Sequence, residues 1–508
     1  MIGLPQTRNG GAVLVFAVLL VCYGYFFPML NNWGSNSRMN LIYALGDQRQ
    51  LRIDDYHQNT GDKAHFRGHY FMEKTISPSL MGLPFYLVFK AVARLPTVAR
   101  LATGDRAPGA LPTLDEVYRK YHLPSPGTAG SGHPPIYHAM ALVFVTFFAV
   151  AVPSALTGAV LFLFASRFCP SPGRAVALAF ALGLATPAFS YSNQLYQHQA
   201  TAFGAFVGCF LLWRIIHEHA STRWLWIVGV LFGYAATSEF VWAPVLTGIT
   251  VWLGRHLDDR RTLWRVAAAA APWFMATAVY NLLAFETPLP VGYRYSPFAN
   301  AFESALFGFG WPSWQSVYGI TFSPYRGLFF LCPFLLLAPV GLYVMFHRER
   351  EVRTRELASM LLGTAMLIFL YNACYWDWTG ADSVGPRHLI ALVPFLSLPI
   401  SFVLNRFTRA SQLVVFGGLV ALSGVGVWMQ SLAGQTFPRE AITRPILDYA
   451  LPLLRERQLR FSVGTVLGFR GFTVFIPLLA LLGATFVCVS VGERAWLRRV
   501  AKSPPLTV

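Results

Sequence analysis

The sequence predicts an all-α polytopic membrane protein with about twelve transmembrane helices. Of its 508 residues, 55% are hydrophobic and 15% are aromatic, whereas only 12% are charged. Apolar runs of about 18 or more residues, long enough to cross a bilayer, recur along the whole chain. Clear examples are 11–30, 136–164, 327–346 and 471–491. A soluble core cannot bury this much apolar sequence, so we expect a helical bundle in a membrane.

Short basic connectors between the apolar runs indicate the orientation of the helices. Their arginines lie at 167–174, 214–223, 255–265, 347–355, 406–409 and 494–499. All of these connectors face the cytoplasm, as the positive-inside rule requires, if both termini are cytoplasmic. The spans then lie near 12–30, 136–166, 175–190, 199–216, 224–237, 239–254, 266–285, 326–346, 357–374, 388–404, 411–430 and 471–491. The formal net charge of +17 is explained by these connectors and by anionic lipid headgroups, which excludes nucleic acid as the expected partner.

Two apolar stretches near the N-terminus need separate interpretation. The run 12–30 is preceded by Arg8 alone and lacks a small-residue cleavage site, so we expect a retained transmembrane helix rather than a signal peptide. The stretch 79–95 is also apolar, but counting it as a span would invert every later basic connector. Because it is short and carries Lys90 and Arg94 four residues apart, it is predicted to lie on the outer leaflet. Residues 31–134 then form a long first extracytoplasmic loop.

Other classes of membrane protein receive little support. The chain has no convincing internal repeat, and ionisable residues are scarce within the spans, which argues against an ion-coupled transporter. The six cysteines lie in or beside apolar runs without paired spacing. They are therefore interpreted as small buried hydrophobic residues rather than as a disulfide or metal framework.

Ionisable residues concentrate in the stretch 53–80, IDDYHQNTGDKAHFRGHYFMEKTISPSL. Asp54 and Asp55 are adjacent, and Asp62 follows seven residues later. A carboxylate held where water is scarce can act as a general base toward a hydroxyl group, although an acidic pair is also typical of a solvated turn. Lys74 precedes the interfacial stretch, where it can bind a phosphate at headgroup depth or simply extend its ammonium to the surface.

Two arginines are predicted at the same outer depth of the membrane. Arg326 lies where a span begins, and Arg387 lies in YWDWTGADSVGPRHL (375–389) together with Asp377 and His388. Two fixed guanidinium groups suit bidentate recognition of phosphate, whereas the neighbouring tryptophans are explained by an interfacial aromatic belt. Together with the external carboxylates, this pattern indicates a lipid-phosphate substrate and chemistry on a hydroxyl group.

The histidines of the first loop are candidate metal ligands. His65 and His69 are four residues apart and would share one face of a helix, but Gly68 weakens such a helix and the HExxH pattern is missing. No cofactor is therefore expected, and a divalent metal is the less favoured alternative. His198, in YSNQLYQHQA at the outer mouth of a span, is either a hydrogen-bonded core residue or an acceptor-binding residue.

The stretch 53–84 resembles the first external loop of GT-C glycosyltransferases of the protein O-mannosyltransferase and lipid A aminoarabinose transferase type. Those proteins carry an Asp-Glu pair soon after the first span, then a Gly-x-Tyr-Tyr…Lys-Pro element. Here Asp54-Asp55 stands for the pair, 68–71 (GHYF) for the Gly/Tyr element and 73–78 (EKTISP) for the Lys-Pro element. The second acid is Asp rather than Glu, and Pro-Pro does not follow the lysine. A looser similarity extends to residue 397.

The resemblance implies a membrane glycosyltransferase that moves a sugar from a polyprenyl-phosphate donor to an outward-facing acceptor with inversion. Asp54 is the implied base, with Asp55 as the alternative. Lys74 is implied to bind the donor phosphate, and Arg326 and Arg387 are added here as further phosphate partners. Sugar- or acceptor-binding positions are expected at Tyr70, His198, Asp377 and His388.

The resemblance also implies an organisation and a location. Residues 1–430 form the GT-C-like catalytic module, and 431–508 form a short external segment, a last helix and a basic cytoplasmic tail. The expected location is a bacterial-type inner membrane, with the active site facing the periplasm. Expected partners are membrane lipids, the lipid-linked donor and an envelope glycan, lipid or protein acceptor. The main alternative is a flippase for lipid-linked sugars, which would need polar groups along a route across the membrane rather than on one side.

Overall fold

The computed structural model describes residues 7–30, 32–102, 132–297, 299, 308–434 and 442–502. Parts of the predicted external segments, at 103–131 and 435–441, lie outside the described residues. Helices follow one another along the described ranges, and the one sheet found there is a two-stranded hairpin.

Eight helices in the described ranges are long and apolar enough to cross a membrane. They are Arg8–Tyr25, Pro135–Ala165, Gln197–His217, Arg260–Phe285, Val352–Cys374, Arg387–Asn405, Ala410–Ala433 and Gly471–Ala495. Shorter apolar helices are Pro172–Leu184, Trp242–Gly254 and Pro333–His347, and Leu225–Ser238 lies at the remaining predicted position. Every predicted span therefore contains a helix, and the chain is an integral membrane protein. The count of twelve membrane crossings stays a prediction.

The remaining helical segments are short and lie mostly between the apolar helices. They are Trp33–Tyr43, Ala44–Gln48, His57–Asn59, Ser77–Val92, Pro96–Ala102, Ala188–Tyr191, Thr222–Trp224, Gly292–Tyr295, Trp314–Thr321, Leu328–Leu331, Pro445–Ala450, Leu451–Arg455 and Val463–Val466. Within Pro135–Ala165, the segment Phe147–Ala151 is a π-helical turn that precedes Pro153. Because proline lacks an amide hydrogen, the regular helical bonding is interrupted there.

Burial separates central helices from peripheral ones. Gln197–His217 and Arg387–Asn405 are mostly buried inside the protein, whereas Ala410–Ala433 and Gly471–Ala495 leave most of their surface uncovered. Glycine allows two helices to pack closely at Gly229. A Cβ added there would lie 2.5 Å from the carbonyl oxygen of Val266. Small residues allow helix backbones to approach in this way inside a membrane.

The first and last long helices lie side by side. At one end, the hydroxyl of Thr7 donates a hydrogen bond to Glu493 at 2.6 Å. At the other end, the amide of Phe27 donates to the carbonyl of Phe461 at 3.0 Å. The start of the first helix and the end of the last helix therefore lie at the same end of the bundle.

The basic connectors also lie at this end of the bundle, which we call the basic end. Five contacts join them to each other or to Arg8: Arg8 with the carbonyl of Ser166 (3.3 Å), Arg167 with Glu218 (2.5 Å), Arg174 with the carbonyl of Leu404 (2.7 Å), Arg255 with Glu356 (3.0 Å) and Arg406 with Glu349 (2.9 Å). Their assignment to the cytoplasmic side of a membrane stays a prediction.

The loop predicted to be external, between the first two long helices, contains the β-hairpin. Strand β1 is Lys63–Phe66 and strand β2 is His69–Met72, with Lys63 opposite Met72 and His65 opposite Tyr70. The two-residue turn between them has φ values of 50° at Arg67 and 83° at Gly68, the pattern of a type I′ turn. Residues 65–69 thus form strands and a turn rather than a helix. His65 and His69 therefore do not share a helix face, which is the arrangement that would bind zinc.

The helix Ser77–Val92 confirms that the stretch near 79–95 is helical. Its Lys90 forms an ion pair with Asp47 at 2.6 Å. Burial works against ionisation of Asp47, but hydrogen bonds from His133, Lys90 and Tyr86 outweigh it and hold the pKa of the carboxyl at about 2. The loop is thus tied to this helix, while the position of the helix at a membrane surface stays a prediction.

Candidate functional site

Lys74 lies at the open end of the hairpin, just after β2. Its Nζ is 2.7 Å from Glu73 Oε1 and 3.5 Å from Asp62 Oδ2, and it donates a hydrogen bond to Tyr293 Oη at 3.0 Å. The side chain of Glu73 is fully buried, and those of Asp62 and Lys74 are about 15% exposed. Removing charged groups from water costs free energy unless they pair, which explains why the three groups lie together.

Burial and charge decide the ionisation of this group. Burial raises the pKa of Glu73 to about 7, an effect that the attraction to Lys74 only partly offsets. For Lys74, burial disfavours the charged form, but Asp62 and Glu73 together hold its pKa well above the ordinary value. The ammonium group therefore stays charged at neutral pH.

Arg387 supplies a second cation. Its guanidinium lies 3.9 Å from Asp377, and its buried Nε has no hydrogen-bond partner among the described residues. Asp377 accepts hydrogen bonds from the Thr379 hydroxyl at 2.9 Å and the Ala381 amide at 3.2 Å, which fixes the turn ahead of Arg387. One long ion pair leaves several guanidinium donors for a ligand.

Arg38 supplies a third cation that the sequence analysis missed. It lies in the helix Trp33–Tyr43, is buried, and donates a hydrogen bond to Gln197. Its guanidinium carbon lies 5.2 Å from the centre of the Tyr196 ring. The segment WGSNSRMNLIY contains one arginine and no recognisable motif. The only sequence signal for the position of Arg38 is that it follows Gly34 by four residues, which places both on the same face of the helix.

Electrostatic effects connect these cations across the fold. Burial lowers the pKa of Arg38, the positive charge of Arg387 lowers it further, and Tyr196 and Asp62 oppose the shift. Burial also raises the pKa of Tyr375, with Lys74 opposing. Tyr293, which accepts a hydrogen bond from Lys74, also acts electrostatically on both Arg38 and Arg387. We call Arg38, Lys74 and Arg387 the cationic cluster.

The predicted bases lie elsewhere, near the turn end of the hairpin. Asp54 accepts a hydrogen bond from the Tyr70 amide at 2.7 Å and lies 2.8 Å from His69 Nδ1. Asp55 is exposed and accepts a hydrogen bond from Gln48 at 2.5 Å. The Tyr70 ring stacks on His57 at 3.8 Å. The two ends of a four-residue strand are roughly 10 Å apart at about 3.3 Å per residue, so the contact of Asp54 with His69 is separated from the open end of the hairpin.

Arg326 is buried and bound to backbone. Its guanidinium donates hydrogen bonds to the carbonyls of Ala381 at 2.5 Å and of Ser383. It thereby holds the segment that leads to Arg387, and a direct contact of Arg326 with phosphate stays a prediction.

His198 and His388 lie close together in the protein interior. His198 Nδ1 is 2.6 Å from Glu239 Oε1, and the two imidazole rings have centroids 5.9 Å apart. His198 is thus a hydrogen-bonded core residue beside Arg387. Within the described ranges, no group of three or more His, Cys, Asp or Glu side chains is arranged to hold a metal ion. The roles of these histidines in acceptor binding remain predictions.

The described fold and site define an integral membrane protein with a buried cationic cluster at one end of its helical bundle. No protein-family model matches the chain, and no curated protein sequence does. Among solved structures, the chain is similar to the crystal structure of ArnT from Cupriavidus metallidurans bound to undecaprenyl phosphate. The alignment covers 96% of this chain and 76% of ArnT, with 14% identity and a TM-score of 0.43. So weak a likeness establishes neither a shared fold family nor a function.

Proposed function

We propose that this protein is an inverting membrane glycosyltransferase that moves a sugar from a polyprenyl-phosphate donor to an acceptor outside the cytoplasm. The observation that supports this most is the cationic cluster. Gln197, which bonds Arg38, begins the helix Gln197–His217, and the other end of that helix is at the basic end. The cluster therefore lies at the opposite end of the bundle, where a lipid-borne phosphate would meet water.

The charges of the cluster suit the chemistry of the transfer. Displacing a phosphate from an anomeric carbon develops negative charge on the leaving oxygen and positive charge on the sugar. Lys74 and Arg387 stabilise the leaving phosphate, and a carboxylate takes the proton of the acceptor hydroxyl. The polyprenyl chain stays between the apolar helices, so neither a cofactor nor a soluble domain is needed for this step.

The proposed orientation follows from the two ends of the molecule. If the basic end is cytoplasmic, as the positive-inside rule requires, the cationic cluster faces the periplasm or cell exterior. The acceptor is then an envelope glycan, lipid or protein. Beside the hairpin, the partly exposed rings of Tyr70 and His57 stack on each other and contact Lys63, and this pair is accessible to a sugar or acceptor.

A flippase for lipid-linked sugars is the second candidate. A flippase needs polar groups along a path through the bilayer, because a sugar is poorly solvated by hydrocarbon. The three cations of the cluster instead lie together at one end of the bundle. This one-sided distribution favours a transferase.

The test uses purified full-length protein in lipid nanodiscs and radiolabelled polyprenyl-phosphate sugars, with envelope extract as the acceptor. We expect transfer by the wild-type protein from at least one donor and a large loss in Arg387→Ala. Arg406→Ala, which removes a guanidinium paired with Glu349 at the basic end, is the matched control. In proteoliposomes, label that crosses the bilayer without being transferred would support the flippase. Neither transfer nor movement with any donor would contradict both functions.

A further inference from the structure

Asp62 has a backbone that is fixed from both sides. The hydroxyl of Ser37 donates a hydrogen bond to its carbonyl oxygen at 2.5 Å, and its amide donates to the Thr60 hydroxyl at 3.0 Å. Ser37 is fully buried, and Thr60 is nearly so. A functional group works best when neighbouring residues hold it in place before the substrate arrives, and Asp62 meets this condition.

The Asp62 carboxylate is shielded from water but still accessible. Its side chain is 15% exposed, and its described polar contact is the 3.5 Å ion pair with Lys74. At that distance the pair lacks a short hydrogen bond. Lone pairs on the carboxylate therefore remain to accept a proton from a substrate.

The other acidic residues of the stretch 53–80 do not combine partial shielding from water with carboxylate lone pairs that remain to accept a proton. Both carboxylate oxygens of Asp54 contact the hairpin, one through the Tyr70 amide and one through His69. Asp55 is exposed at a distance from the cluster. Glu73 is fully buried and bound to Lys74 at 2.7 Å, so no acceptor can reach it without displacement of its surroundings.

We propose that Asp62 is the general base that removes the proton from the acceptor hydroxyl, while Lys74 beside it binds the departing phosphate. This proposal rests on the proposed glycosyltransferase function. In an inverting displacement the attacking and leaving oxygens lie on opposite faces of the anomeric carbon. The proposal therefore requires the sugar to lie alongside the ion pair, with the acceptor oxygen at Asp62 and the phosphate oxygen at Lys74.

The step balances without a further reactant. The acceptor oxygen forms a bond to the anomeric carbon as the bond from that carbon to the phosphate oxygen breaks. The electron pair of the broken bond goes to the phosphate, whose added negative charge is met by Lys74 and Arg387. The acceptor proton moves to Asp62, which releases it to water before the next turnover.

The first experiment compares Asp62→Asn, Asp54→Asn and, as a matched control at the basic end, Asp258→Asn. General bases contribute roughly 10²–10⁴-fold to rates, so we expect Asp62→Asn to lower kcat by that factor. Asp54→Asn should have a clearly smaller effect. Binding of undecaprenyl phosphate and the unfolding temperature are measured for each variant. If Asp62→Asn fails to fold, Asp62→Glu, which keeps the negative charge, should fold and lower kcat with little change in KM.

A second measurement distinguishes a base from a residue that only positions Lys74. Azide is an anion at neutral pH and needs no base to attack the anomeric carbon. We expect Asp62→Ala to release lipid phosphate and form glycosyl azide when azide is added, while hydroxyl acceptors remain inactive. Absence of this rescue in a folded, phosphate-binding variant would overturn the proposed role.

The outcomes separate the role of Asp62 from the function itself. Transfer that persists in Asp62→Asn or Asp62→Glu at the wild-type rate, or that is lost in Asp54→Asn alone, overturns the assignment of the base and leaves the transferase intact. A wild-type protein that transfers no sugar from any donor contradicts the proposed function, whatever the variants do.

Discussion

The two ends of the hairpin carry the same kinds of residue in different surroundings. At the turn end, Asp54 is about one third exposed and lies 2.8 Å from His69. At the open end, Asp62 and Lys74 are about 15% exposed, and Glu73 is fully buried. The acidic residue at the turn end is therefore partly hydrated, whereas the charged residues at the open end are mostly shielded from water.

This difference shows how burial turns ordinary charges into a site. Near water, an ion pair contributes about 0–1 kcal/mol, because solvent screens it and the side chains lose conformational freedom. Away from water, the same charges interact strongly and respond to any new charge placed among them. If the proposed function is correct, changes at the open end should affect phosphate binding more than changes at the turn end.

The largest expected effect that tests this comparison is at Lys74. Removing one group that stabilises developing charge typically costs about 10²–10³ in kcat, and we expect a loss of this size in Lys74→Ala. Because the change would leave Glu73 buried without its partner, transfer kinetics are measured in the double variant Lys74→Ala/Glu73→Gln as well. Lys90→Ala, which removes the lysine paired with Asp47, should retain most activity, and equal losses in both lysine variants would contradict the contrast.

Arg387→Lys keeps the charge but loses the planar guanidinium. A hydrogen bond to a charged group contributes about 1.5–3 kcal/mol, so binding of undecaprenyl phosphate should weaken roughly 10- to 100-fold. The affinity is measured by titration in nanodiscs. Arg406→Lys is the matched change at the basic end, and a comparable loss there would show that binding reflects overall charge rather than the cluster.

The raised pKa of Glu73 predicts a pH-dependent stability. The pKa is about 7 in the folded protein, against an ordinary value of 4.5, so the folded state binds the proton more tightly. The resulting stabilisation is complete below about pH 4.5 and is lost as the pH rises through 7. Since Glu73→Gln mimics the protonated form, its stability relative to wild type should increase between pH 5 and pH 8, by up to about 3 kcal/mol. Thermal unfolding at the two pH values checks this. Glu456→Gln, an exposed control, should show little such change.

The hairpin turn should tolerate substitution according to backbone conformation alone. Gly68 has φ of 83° and no atom within 4 Å of an added Cβ. Gly68→Val therefore introduces strain of about 1–3 kcal/mol, whereas Gly68→Asn should cost less because asparagine adopts this region more readily. Unfolding temperatures report the difference. If Gly68→Val weakens phosphate binding while its unfolding temperature stays near that of the wild type, the turn end belongs to the site.

The smallest effect is expected at the basic end. Glu218 forms ion pairs with Arg167 and Arg214 near solvent, so Glu218→Gln should change the free energy of unfolding by about 0–1 kcal/mol, and less at high salt. Denaturation at two salt concentrations measures this. A loss of several kcal/mol would mean that charges at the basic end are as strongly coupled as those of the cluster.

Much of the helical layout was predictable from local patterns. Apolar runs predicted a helix at each of the twelve positions. The basic charge of the short connectors predicted that they lie at the same end of the bundle. Lys74 and Arg387 were found because each is conspicuous in its own segment. Arg38 was missed, and Asp62 was noted without being preferred to Asp54, because neither stands in a motif that distinguishes it.

The sequence by itself determined that this is a helical membrane protein with polar segments between its apolar helices, since hydrophobicity, helix length and charge act over neighbouring residues. Only the tertiary structure decided which polar residues form one site. Asp62 meets Lys74 through the pairing of two strands, and Arg38 approaches Arg387 through the packing of helices that are far apart in the chain. Burial and distance determine how strongly charges interact, and both depend on contacts between distant segments that no local pattern records.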